Sequence, residues 1–397
     1  MTLTRNHKLL SLGFPFEVLN RDLRLLFACN LVGAFGDGLY SYLLPVYLSK
    51  RLGADSVQVG ILYAITGLLA ASSLLLAGML ADKYDRKKIM IAGWVAWIPA
   101  PLIFSLAGNW VQAIPGMILW GVWLGGPTTT AYIVGTADKS RMTLTFTTIS
   151  AAWSLGYVFS PAIGGYLADL VGMRFVFFFA MVFYSLACLC LLFVRSQRVS
   201  RSVEKEREDQ PSFFGLLRQR KLLSLSVFFA LIMFTVMMFR PFVPQFLANE
   251  GHYGDFEIGV LGSVCFFASA VWGILLGRIG DKWKKSYALA ATMMLCSLYL
   301  ILFLSFRSFY ALIFVSFLAG ASYTIWSLMG AIIGPLAPER IRARWISIPQ
   351  TVAMFTSIIA PYVGGVLFAA SPSYPFYAAI VATLIIALLV LTKFLSE

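Results

Sequence analysis

Apolar runs of about 20 residues or more alternate with short polar links along this chain, and a helix of that length crosses a hydrocarbon core of about 30 Å. No water is available there to satisfy an open sheet edge, so helices are expected. The pattern predicts a first set of spans at 23–48, 56–81, 89–107, 110–135, 144–170 and 175–194, and a second at 222–247, 256–280, 286–306, 309–336, 345–370 and 374–395. Between the sets, charge alternates from Arg195 onward, and then Phe213, Phe214, Leu216 and Leu217 fall among Arg218, Arg220 and Lys221. The first part reads as a solvated linker and the second as an amphipathic helix on the inner leaflet. The expected organisation is a six-helix bundle over 1–194, a cytoplasmic linker over 195–221 and a second six-helix bundle over 222–397.

The two sets repeat. Residues 78–88 read Gly-Met-Leu-Ala-Asp-Lys-Tyr-Asp-Arg-Lys-Lys, and residues 277–285 return the Gly, the Asp four positions on and the basic cluster, at an offset of 199. Pro45 and Gly60 match Pro244 and Gly259 at the same offset, as Leu119 and Gly121 match Leu318 and Gly320. Pro161, Gly164 and Gly165 match Pro361, Gly364 and Gly365 at 200. Membrane composition alone would not hold Pro, Gly and Asp in register, so the chain reads as a duplication. An even number of crossings returns the second half in the orientation of the first.

Composition sharpens this picture. Hydrophobic residues make up 59% and charged residues 12%, against roughly a quarter charged in soluble domains. The net charge of +13 raises nucleic acid as a partner, but the positions of the cations decide against it. Of 31 Lys and Arg, 26 fall in links or within two residues of span ends on one side of the predicted spans and 4 on the other, which places both termini in the cytoplasm. Residues 1–22 lack the apolar core of a secretory signal, so the first span is expected to act as an uncleaved insertion signal. Cys29, Cys188, Cys190, Cys265 and Cys296 all fall within spans and read as buried small hydrophobes.

The 78–88 segment resembles the Gly-x-x-x-Asp-Arg/Lys-x-Gly-Arg-Lys/Arg signature between helices 2 and 3 of the major facilitator superfamily, with Asp85, and Lys284 in the second copy, where that pattern prefers Gly. A second segment, 156–165, is similar to the Gly-x-x-x-Gly-Pro-x-x-Gly-Gly signature of the family's antiporters, above all its drug and proton exchangers, with Ser160 replacing one Gly. The resemblance implies an all-α membrane fold of twelve transmembrane helices in two pseudo-symmetric six-helix bundles, with a cargo site near the midplane that rocking exposes to each side in turn. It further implies that the loop cluster latches the cytoplasmic side.

Asp37 stands in the middle of the first span, where a carboxylate costs roughly 3 kcal/mol on insertion scales and is expected to face protein or a water-filled cavity. Burial penalises the charged form, which suits a group that takes up a proton on one side and releases it on the other; contact with substrate, or permanent charge beside a partner such as Arg240, is the alternative. Arg240 is the one cation in the interior of a predicted span, since Arg24, Arg278 and Lys393 lie within two residues of span ends. Its repeat mate is Ser41, one turn from Asp37, so the two bundles would bring Asp37 and Arg240 face to face as a pair or gate. Arg240 otherwise grips an anionic substrate or anchors its helix. Tyr40, Ser41, Trp120, Trp123, Phe239, Tyr323 and Trp326 are candidates for the cavity wall, mixing apolar area with single polar handles; helix packing and interface belts use the same residue types.

In the signature loops, Gly78 and Gly277 would admit a close neighbouring helix. Asp82 and Asp281 would pair with Arg86 or Lys285 or accept from a helix N-terminus, and Lys87 completes the cluster; anchoring at the anionic leaflet explains the same cations. Gly156, Pro161, Gly164 and Gly165, with Pro361, Gly364 and Gly365, would make bendable, closely packed helices.

His7 and His252 lie outside the spans, and there is no phosphate-binding Gly-x-x-x-x-Gly-Lys-Ser/Thr loop, so neither metal nor nucleotide chemistry is expected and no cofactor is assigned. The reading is a secondary transporter, not an enzyme: a monomer in the cell (inner) membrane that exports a lipophilic or amphipathic small molecule in exchange for protons. Uptake of a small, possibly anionic, metabolite is the alternative, and a non-transporting membrane sensor the remote one.

Overall fold

The computed structural model describes residues 17, 19–138, 141–197, 215, 218–333, 336 and 342–393. The amphipathic helix expected from Phe213, Phe214, Leu216 and Leu217 lies outside them. Every regular element described is helical: α1 (Arg21–Ser41), α2 (Leu44–Lys50), α3 (Ser56–Lys83), α4 (Arg86–Trp97), α5 (Pro99–Leu106), α6 (Trp110–Gly121), α7 (Gly125–Thr136), α8 (Met142–Val171) and α9 (Met173–Leu192) come before the linker. After it come α10 (Arg220–Phe239), α11 (Phe242–Asn249), α12 (Asp255–Lys282), α13 (Lys285–Ser305), α14 (Phe309–Ala319), α15 (Ile325–Ile333), α16 (Arg342–Ala370) and α17 (Tyr374–Lys393). Among the described residues, nine helices are long and apolar enough to cross a membrane. The three predicted spans outside that set, α1–α2, α6–α7 and α8, are helical too, and these polar or interrupted spans carry the site below.

Five predicted spans that hydropathy reads as continuous are broken. Pro45 in the first turn of α2, Pro99 at the start of α5 and Pro241 before α11 cannot donate to the preceding turn. Between α6 and α7, residues 122–124 leave the helix, and side chains take over the freed backbone groups: the Trp97 indole donates to the Val122 carbonyl at 2.7 Å and the Trp123 N–H donates to Ser73 Oγ at 2.8 Å. The equivalent stretch between α14 and α15 is a 3-10 turn, Gly320–Thr324.

The duplication is visible in the packing. α3 lies against α16, and α8 against α12, so the two halves meet along both seams. The Gly-Gly pairs of the two copies are used alike. A Cβ on Gly164 would strike the Leu39 carbonyl of α1, and one on Gly364 the Met238 carbonyl of α10; one on Gly165 would strike the Asp255 carbonyl, and one on Gly365 the Ser56 carbonyl. Each first glycine therefore seats its helix on its own half and each second glycine seats it on the other half. Gly156 lies against Ala34 and Phe35 in the same way, while Pro161 and Pro361 offer their carbonyls to Gly259 and Gly60.

At the end bearing α2 and α11 the halves are joined: Lys50 Nζ donates to the Ala248 carbonyl at 2.8 Å, Gln245 Nε2 to the Pro45 carbonyl at 3.2 Å, and the Phe256 N–H to Asp169 Oδ2 at 2.9 Å. At the signature-loop end, Gly78 and Gly277 face open space: a Cβ added to either would meet no heavy atom within 4 Å. This corrects the expectation that these glycines admit a close neighbour: at this end of the seam none approaches them.

Candidate functional site

Asp37 is 4% exposed and sits between two glycines of α1. Gly36 lets Phe183 and the Ala180 carbonyl of α9 close on one side, and Gly38 lets Tyr157 and Ser160 of α8 close on the other. Ser160, which stands where the family signature has Gly, places its hydroxyl in the space that Gly38 leaves.

Three donors converge on the carboxylate. Trp120 Nε1 donates to Oδ1 at 2.8 Å, Tyr184 donates to the same oxygen, and Tyr157 donates to Oδ2. The Tyr40 hydroxyl is 2.9 Å from that of Tyr184. An ionised carboxylate is acceptor-only and accepts all three bonds, whereas a protonated one must place its own O–H, and an indole can only donate. A proton on Oδ2 can be donated to Tyr157, and one on Oδ1 to Tyr184, only when that hydroxyl turns round.

Arg240 is not the partner of this acid. Its guanidinium lies over the Tyr323 ring, 4.1 Å from the centroid, a cation–π contact. Among the described residues the ion pair within 4.0 Å is Arg195 with Asp22, at 3.9 Å. The two charges are instead joined through rings. Tyr157 contacts Phe266 across the α8–α12 seam at a centroid distance of 4.7 Å, and Phe266 contacts Tyr323 at 5.1 Å. Tyr157, Tyr184 and Phe266 do not stand out in the sequence; the glycines flanking Asp37 are the signal that its neighbours come close.

Two expected wall residues are core. Tyr40 is fully buried against Phe104, Phe177 and Trp120, and its equivalent Phe239 is buried against Tyr299 and Phe376. Both point away from the seam into aromatic clusters behind the inner helices. Ser41 is half-buried at the end of α1, Trp123 is 44% exposed, and Trp326 is exposed on α15.

In the loops, Arg86 Nη1 donates to the Ala131 carbonyl at 2.9 Å and to Gln197 Oε1 at 2.6 Å, and Lys285 Nζ donates to the Ala331 carbonyl at 2.7 Å. The two cations thus hold the equivalent turns of α7 and α15, and the expected pairing of Lys285 with Asp281 is not formed, because Asp281 is exposed to solvent. Lys87 Nζ caps the Leu192 carbonyl at 2.7 Å. The side chain of Asp82 lies outside the described residues. Asp85, buried, caps α4 by accepting the Lys87 N–H at 3.0 Å. Burial pushes its carboxyl up, but bonds from Ser196 and from the backbone of Gln197 and Lys87 outweigh this and hold it below the usual carboxylate range.

Comparison with known proteins agrees with this architecture. The Major Facilitator Superfamily family model matches residues 26–243 and again 225–397. The multidrug resistance protein MdtG of Yersinia enterocolitica is 28% identical over 375 residues, covering 91% of this chain and 88% of that protein. The multi-drug resistance efflux pump PmrA of Streptococcus pneumoniae is 27% identical over 269 residues, 66% of this chain and 67% of the pump. Among solved structures, a nucleoside transporter, NupG, superposes with a TM-score of 0.74 at 13% identity, covering 94% of this chain and 99% of its own. A POT family transporter in complex with 5-aminolevulinic acid gives 0.74 at 16% identity, covering 94% and 96%. With its twice-repeated helical plan and a family match running across both halves, this multi-pass membrane protein is a transporter that belongs to the major facilitator superfamily.

Proposed function

We propose that the protein is a proton-coupled antiporter that exports lipophilic or amphipathic small molecules, as the names of its multidrug-efflux relatives suggest. The observation that carries this reading is the Asp37 carboxylate, buried in the first bundle with three neutral donors and, among the described residues, no cation within 4.0 Å. A group so placed changes charge when it binds a proton, and with the proton on Oδ2 the hydroxyl that turns is that of Tyr157, whose ring touches Phe266 in the other half. Proton binding is thereby felt at the seam, where it biases one access state over the other.

The chain acts as a monomer of two six-helix bundles, 1–194 and 222–397, joined by the linker 195–221. The signature loops and both termini face the cytoplasm of the inner membrane, following the positions of the cations. With the α2–α11 end joined and Gly78 and Gly277 facing open space, the state described is the one open to the cytoplasm. Arg86 and Lys285 hold their own bundles as rigid bodies while the halves rock.

The test uses proteoliposomes and an amphipathic dye. A pH gradient, acid inside, is expected to drive dye accumulation, and Asp37→Asn is expected to reduce that accumulation to background. Accumulation by the variant at the wild-type rate would refute the role of Asp37, and the absence of any gradient-driven accumulation would remove the antiport reading.

A further inference from the structure

The first bundle holds a cavity of about 170 Å³ among α1, α4, α7 and α8 that the proton site does not use. Its walls are indoles: Trp94 and Trp97 from α4, Trp153 from α8, and Trp123, 44% exposed, just before α7. The Trp97 N–H is spent on the Val122 carbonyl, so that residue offers the cavity apolar ring surface. No charged side chain lines the cavity.

One buried polar side chain in its lining has no partner among the described residues. Asn30 lies two turns from Asp37 on α1, lines the cavity and is 7% exposed, and its side-chain amide makes no hydrogen bond among the described residues. Its amide atoms are not sealed from solvent, so they open on the cavity, and a molecule occupying it would have that amide to pair with.

We propose that this cavity binds an uncharged, planar heteroaromatic molecule of one or two fused rings, carrying an adjacent N–H and C=O that pair with the Asn30 amide. The size follows from the volume, since an apolar cavity of about 150 Å³ takes benzene. The flat shape follows from the indole walls. The lack of charge follows from the lining, which offers a buried ion no counter-charge. The cyclic-amide edge follows from Asn30, because one amide both donates and accepts.

The inference rests on the reading of the protein as an exporter and names a cargo class for it. It also places that cargo beside the proton site. Trp153 stacks on Tyr157 at a centroid distance of 6.1 Å, and Trp94 and Trp97 contact Tyr184 at 5.6 and 5.8 Å. The cavity walls are thus in contact with the two tyrosines that hold Asp37.

The test is calorimetric titration of the purified full chain with 2-quinolinone, a flat, neutral two-ring cyclic amide, and with N-methylquinolinium, the same ring system bearing a fixed charge and no amide edge. The expected result is binding of 2-quinolinone, weaker by about tenfold in Asn30→Leu, with N-methylquinolinium binding more weakly than 2-quinolinone. Should Asn30→Leu fail to fold, Trp123→Leu removes a half-exposed wall and is expected to weaken 2-quinolinone by about tenfold as well. No binding of 2-quinolinone, unchanged affinity in the folded variant, or tighter binding of N-methylquinolinium would overturn the proposal. The titration imposes no pH gradient, so its outcome and that of the dye assay are read independently.

Discussion

The two halves share a packing plan but not a chemistry. In the first, Asp37 is held by Trp120, Tyr157 and Tyr184; at the corresponding places the second carries Val236, Ala319, Ser357 and Thr383. Val236 and Ala319 are buried and apolar, Ser357 bonds back to Met354 in its own helix, and Thr383 pairs with Ser297 at 2.7 Å. Conversely, Arg240 in the second half answers to Ser41 in the first. The aromatic clusters behind the inner helices persist in both, as Tyr40, Phe104 and Phe177 on one side and Phe239, Phe303 and Phe376 on the other. Duplication has therefore kept what seats helix on helix and let the polar positions diverge, leaving one half to hold an acid and the other a cation.

That asymmetry can be broken directly. Val236→Asp puts an acid where no donors converge, and it should cost roughly 3 kcal/mol, seen as a lowered melting temperature in detergent. Unchanged melting would mean that the donor cage of the first half is dispensable to hosting a carboxylate.

The shared plan can be sharpened by matched substitutions. Gly164→Val and Gly364→Val each drive a side chain into a carbonyl of the inner helix of the same half. Each should destabilise by about 1–3 kcal/mol, and similar losses of melting temperature in the two variants are the expected outcome. A loss confined to one of them would show that the glycine contacts are not equivalent.

The smallest effect lies in the loops, where Asp85 caps α4 and its counterpart Lys284 caps nothing at the start of α13. Asp85→Ala should cost about 1 kcal/mol. Because the folded-state carboxyl titrates below its unfolded value of about 3.9, the stabilisation is complete above that pH and is lost as pH falls through the lower folded value. Melting curves of wild type and Asp85→Ala should therefore differ at neutral pH and converge at low pH; a constant difference across that range would exclude the ionised cap as its source.

Asp85 also shows where motif reading and structure part. Against the family signature it stands out as a departure from Gly. In the fold it is the residue that starts α4 and receives the chain returning at Gln197. Asp37 was legible as a site because a charge inside an apolar run is costly wherever the run is placed. Its donors were not, because Tyr157 and Tyr184 lie 120 and 147 residues away, and a tyrosine in an apolar helix looks the same whether its hydroxyl meets an acid or a neighbouring backbone. The pairing of Asp37 with Arg240 failed for a related reason: equivalence in a repeat puts two residues on facing helices but does not set the distance between them or what lies in the gap, which here is filled by Tyr157, Phe266 and Tyr323.

By itself, the order of residues determined the all-helical membrane architecture, the duplication and the isolated buried charges, since each depends on hydropathy, spacing and the cost of charge in hydrocarbon, all of which are properties of a segment read alone. Tertiary structure alone decided that the helices break at Val122 and Gly320, that Tyr40 and Phe239 turn inward, and that Asn30 opens on a cavity of indoles. Those outcomes depend on which side chains from distant segments share one small volume, and the physical reason is close packing: a hydroxyl, an indole or an amide acquires its partner only when several helices have been brought together around it.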